Sequence, residues 1–220
     1  MTNEELAAWA NDPQRSDTLP FGLLEPRYQK GIVGAALVMR AVLYFRDGHT
    51  SAVRQALARC FGQYQTEIET YQRLVDEAAG HASSRTGTLH WFYQDGKQPV
   101  AFEKAPGFDR LAQTISADDV FSVTITSADH KLATGFFEFS VFCIDAWQSK
   151  VGGGGLDALV FTVPRRFLEL RPGTFQTLFS DFSNAVPTVH GHAGYAVNVP
   201  PMGREPNEAS EYFLAQRYGP

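Results

Sequence analysis

Few residues in this chain have the types and spacing that chemistry demands. His190 and His192 flank Gly191. In a β-strand, residues i and i+2 share a face, so both imidazoles could reach one metal ion. That arrangement would make a metal-dependent hydrolase. No cysteine lies nearby and no His-Glu-x-x-His helix completes a ligand set. The plainer reading is two strand-edge histidines around a glycine that lets another backbone approach. Cys60 sits in a helical pattern and Cys143 in a strand pattern, both among apolar neighbours. Burial raises a thiol's pKa, so both read as inert free thiols. No Gly-x-Ser-x-Gly elbow is present, and Gly152–Gly155 lacks the Lys-Ser/Thr of a phosphate loop. No catalytic residue, metal or cofactor is expected.

Other residues suit binding better than catalysis. Trp91, Tyr93 and Trp147 lie in or beside loop-like segments, and exposed aromatics anchor interfaces. Acidic pairs occur at Asp118-Asp119 and at Glu67 and Glu69. Glu205, Glu208 and Glu211 recur every three residues, which gives them one helix face. Trp91, Tyr93, Asp118, Asp119, Trp147 and Gln148 are therefore the expected partner-binding residues. The bland alternatives are solvated acids and aromatic lids over the edge of the core.

Bulk properties narrow the choice of partner. The 220 residues carry a formal charge of -5, with a pI near 5.7. Nucleic-acid binders take most of their affinity from phosphate neutralisation by a basic face, so this balance argues against nucleic acid and suits a basic protein. The first residues, MTNEELAAWANDPQRSD, have no basic-then-apolar pattern of a secretory signal. No run of about 18 apolar residues marks a membrane span. A cytoplasmic location is expected.

The elements that must position these residues read clearly in places. Residues 1–30 are polar and form the expected N-terminal arm, and 31–220 the expected single domain. Residues 32–46 are nearly all apolar, as in a strand buried on both faces. Asp47-Gly48 turns the chain, and Thr50 or Ser51 can cap a helix. Val53, Leu57, Phe61, Tyr64, Ile68, Tyr71 and Val75 then form one apolar stripe along a helix of about six turns. Arg54, Gln63, Gln65, Glu67 and Arg73 fall on its opposite, wet face. Strands are expected at Thr88–Tyr93, Val120–Thr126, Gly135–Ile144, Leu156–Val163 and Val189–Val199. Ala146–Gly155 reads as a mobile hairpin loop. Shorter helices are expected near Phe108–Ile115, from Thr174 to Pro187, and at Asn207–Tyr218. The 17 phenylalanines point to an aromatic core. The fold class is α+β: a mostly antiparallel mixed sheet packed by one long and several shorter helices.

The stretch PTVHGHAGYAVNV, followed by NEASEYFLAQRYG, resembles the C-terminal signature of the type VI secretion immunity-protein family. Its TsiT-type members are paired with toxins of the Tox-REase-5 nuclease class. The resemblance extends over about residues 30–219. It takes in an apolar first strand before a long helix, the segment FFEFSVFCIDAWQSKVGGGGLDALVFTVP, and a helix beginning PGTFQTLF. It implies a small cytosolic antitoxin without catalytic residues that binds a cognate effector toxin, and a family that continues a little past Gly219-Pro220. His190, Gly191, Ala193, Gly194, Tyr195 and Ala196 match the signature and are taken as structural positions. An adaptor or chaperone that loads an effector would share this binding character.

Overall fold

The computed structural model describes residues 27–28, 32–78, 89–151 and 155–202. The helix expected at Asn207–Tyr218, the glutamates at 205–211 and most of the N-terminal arm lie outside the described residues. The elements run β1 (Arg27–Tyr28), β2 (Ile32–Val33), β3 (Ala36–Phe45), α1 (Ser51–Ala78), β4 (Trp91–Gln94), β5 (Val100–Ala101) and α2 (Phe108–Thr114). They continue with β6 (Phe121–Thr126), β7 (Glu138–Cys143), β8 (Asp157–Pro164), α3 (Arg165–Leu170), α4 (Thr174–Ala185) and β9 (Thr188–Asn198). β1 and β2 pair with each other; the other seven strands form one sheet in the order β5-β4-β6-β7-β8-β3-β9. Every described pairing is antiparallel. The fold class is the expected one.

Strand alternation divides the sheet into two faces. Ala41, Leu43 and Phe45 of β3, Leu159, Phe161 and Val163 of β8, Phe139, Val141 and Cys143 of β7, and Phe121, Val123 and Ile125 of β6 point to the helices and are buried. The stripe on α1 meets them. Phe61 packs edge-on against Phe139 at 5.3 Å and stacks on Phe108 of α2 at 5.2 Å. Phe182 of α4 closes on Phe161 at 5.1 Å. Offset and edge-to-face rings at these separations gain energy beyond their buried area. The Tyr64 hydroxyl donates to the carbonyls of Thr162 at 2.6 Å and Glu138 at 3.1 Å, so the long helix is also bonded to β7 and β8.

The helix boundaries follow local chemistry. Thr50 Oγ1 accepts from Val53 N at 3.4 Å, an N-cap. Gly173, at φ +79°, turns the chain into α4 in a conformation that L side chains rarely adopt. α1 is longer than its stripe suggested, at 28 residues. α3 was not anticipated; it follows directly on β8 and buries Phe167 beside Tyr71. One expectation is overturned: Arg54 lies not on the wet face of α1 but inside, 2% exposed. The inner face of α1 is wider at its first turn than a simple stripe, because the loop after α2 folds over it.

Candidate partner interface

Arg54 organises one end of the sheet. Its Nε donates to the Gly48 carbonyl at 3.1 Å. Its two terminal nitrogens donate to the carbonyls of Ile115, Ser116 at 3.0 Å and Asp119 at 3.1 Å. The guanidinium also lies over the Phe121 ring, 5.1 Å from its centroid. A rigid fork filled by main-chain oxygens fixes loop geometry, and here it fixes the loop carrying Asp118 and Asp119. Burial lowers the Arg54 pKa.

Two aspartates do similar work from the other side. The Asp157 carboxylate accepts from Gly48 N at 2.7 Å and Ile144 N at 2.9 Å, joining the turn before α1 to the loop after β7. Burial raises its pKa, against the pull of those two bonds. A side chain at Gly48 would collide with Cys143 Sγ and the Asp157 carboxylate, both under 3 Å away. Asp145 Oδ1 accepts from Gln148 N at 2.8 Å, which fastens the start of the single turn Gln148–Lys150. Ala146 N donates to the Ala117 carbonyl at 2.9 Å, tying this turn to the acidic loop.

The result brings four of the six expected residues together. Asp118 and Asp119 are exposed on one loop; Trp147, 59% exposed, and Gln148 stand on the loop tied to it. Val151, 64% exposed, continues the apolar surface, and Phe142, 47% exposed, lies on the outer face of β7 leading into that loop. Neither of these two was foreseen; Phe142 alternates with buried Val141 and Cys143, and that signal was available. Exposed Asp47 and Asp95 add acid at this end, with Arg46, Lys97 and Lys150 the exposed bases. Trp91 and Tyr93 belong elsewhere. Trp91 pairs with Thr126 at the opposite end of β6 and is half-buried. Tyr93 is buried, its hydroxyl donating to the Lys131 carbonyl at 2.9 Å, and burial pushes its pKa up to about 12.

The histidine pair sits on β9, at the sheet edge. His190 stacks on Tyr44 with centroids 4.6 Å apart, and His192 lies 6.3 Å from the same ring. Among the described residues no group of three His, Cys, Asp or Glu side chains is placed to hold a metal. Gly191 is needed for packing: an added Cβ would come 2.6 Å from Leu43 Cδ2 and 3.0 Å from the Val42 carbonyl. Cys60 and Cys143 are free and buried, and burial pushes the Cys60 thiol up to about 12 and the Cys143 thiol higher. Among the described residues no helix is long and apolar enough to cross a membrane.

A family model described as TsiV, type VI immunity for VRR-NUC, matches residues 56–220. The chain belongs to this family. The resemblance noted from the C-terminal signature holds at the level of type VI immunity; the subtype is TsiV rather than TsiT, and the nuclease class in the description is VRR-NUC rather than Tox-REase-5. No curated protein matches the chain. Among solved structures, this TsiV member is similar to the T6SS protein PA0821 of Pseudomonas aeruginosa, with 28% identity and a TM-score of 0.73. The match covers 97% of this chain and 55% of the other, so the chain spans about half the length of that relative.

Proposed function

We propose that this chain is an immunity protein that binds and neutralises a VRR-NUC nuclease delivered by a type VI secretion system. The observation that carries the reading is the family match over residues 56–220. The neutralisation is steric and not enzymatic, and it takes place in the cytoplasm, where an incoming nuclease would meet DNA. The docking face is the end of the sheet where Asp118, Asp119, Trp147 and Gln148 meet, joined by Phe142 and Val151. A nuclease must attract phosphate, so its cleft carries a positive field. Carboxylates steer association with such a field, and aromatic anchors then hold the complex. Pinned loops favour tight binding, because little freedom is left to lose on association.

Co-expression tests this reading. Cells producing the cognate VRR-NUC nuclease should die without this chain and grow with it. Unrelieved killing at matched protein levels would refute it. An adaptor that only loads the effector would leave killing unrelieved, so the same experiment separates the two.

A further inference from the structure

A cavity of about 410 Å³ opens on the outer face of the sheet where β3 meets β9. It is lined by Arg40, Val42 and Tyr44 of β3 and by His192, Gly194 and Tyr195 of β9, among others. The register explains the shape. Arg40 pairs with Gly194, Val42 with His192 and Tyr44 with His190, so these side-chain positions point to the outer face, whereas Tyr195, opposite Met39, belongs to the other. The stacked rings of Tyr44 and His190 close one end.

Two features of the cavity are unexplained by the fold. Arg40 Nε is buried and has no hydrogen-bond partner among the described residues, although an unsatisfied buried donor is costly. Gly194 opposes it in a regular strand. An added Cβ there would meet nothing within 4 Å among the described residues, and its φ is not positive. Neither packing nor backbone conformation requires glycine, yet any larger side chain would fill the cavity beside Arg40.

We propose that this cavity binds a carboxylate-bearing small molecule, its carboxylate on the Arg40 guanidinium and its apolar part over Val42. A guanidinium fork matches a planar carboxylate. Tyr44 and His192 supply further donors at the rim, and the volume suits a small ligand. A carboxylate fits better than phosphate. Arg40 already feels the Glu138 carboxylate, so a singly charged anion meets less repulsion here than phosphate would. This site is independent of the nuclease-docking reading.

The test uses the ¹⁵N-labelled full chain, titrated with hexanoate, hexanamide and inorganic phosphate and followed by amide shifts at Ala193–Ala196. Hexanoate should give saturable shifts there, and hexanamide should bind at least about tenfold more weakly, since it lacks the charge that strengthens the bond. Arg40→Gln and Gly194→Leu should each abolish the shifts while leaving the rest of the spectrum folded. If Arg40→Gln does not fold, Gly194→Leu decides alone, because its side chain enters open space. Absent saturation, equal binding of the amide, or binding retained in a folded Gly194→Leu would overturn the proposal. Phosphate binding as tightly as hexanoate would overturn the carboxylate assignment.

Discussion

Two arginines face opposite sides of this sheet and live under opposite rules. Arg54 is fully buried and every arm of its guanidinium is taken by a main-chain carbonyl. Arg40, on the outer face, keeps a buried Nε with no hydrogen-bond partner among the described residues. The same contrast appears in the glycines: Gly191 is held against Leu43 and Val42, whereas Gly194 borders empty space. Residues around Arg54 are satisfied by the protein itself, so that end is rigid, as the proposed docking face for a protein partner should be. Residues around Arg40 are left incomplete, as a binding site for something external would be. Saturation of polar groups therefore distinguishes scaffold from site better than residue type does.

The largest effect should come from breaking the saturated end. Arg54→Met strands carbonyls of Gly48, Ile115, Ser116 and Asp119 and removes the guanidinium from Phe121; it should cost about 3–5 kcal/mol in urea unfolding. Arg40→Met, tested in the same way, should cost far less. Trp147→Ala should sharpen the comparison from the binding side. It should weaken nuclease affinity by about 2 kcal/mol or more, measured by calorimetry, while shifting stability by less than about 0.5 kcal/mol. Gly191→Ala should destabilise by about 1–3 kcal/mol through overpacking, and Gly194→Ala should stay within about 0.5 kcal/mol.

The smallest effect concerns pH. Burial raises the folded-state pKa of Glu138, opposed by the hydrogen bond from Asn198 and by Arg40. A carboxyl raised on folding binds its proton more tightly in the native state. Stability from this group is therefore present at low pH and lost as pH rises from its ordinary value through the folded value. Glu138→Gln, which can still accept from Asn198, should flatten the stability–pH curve across that window. An unchanged slope in thermal melts would show that Glu138 is not coupled to folding in this way.

Much of the fold could be read in the sequence because alternation and helical periodicity are local. The α1 stripe from Val53 to Tyr71, the Phe121–Thr126 alternation and the Thr50 cap all depend on neighbours a few residues away. Arg54 could not be read this way, because its burial depends on a loop more than 60 residues distant. Tyr93 failed for the same reason: the segment covering it comes from around Lys131. Asp118, Asp119, Trp147 and Gln148 were legible as residue types, but their proximity was not, since it rests on the Ala146–Ala117 backbone bond. The Gly191 reading succeeded because a glycine between two bulky strand residues signals close approach wherever it occurs.

The central claim is that this chain disarms a nuclease by contact alone. Its most direct test is to titrate purified chain into its cognate VRR-NUC nuclease and follow DNA cleavage. Cleavage should fall linearly to zero at one equivalent for a one-to-one complex. Full nuclease activity in the presence of excess chain would contradict the account.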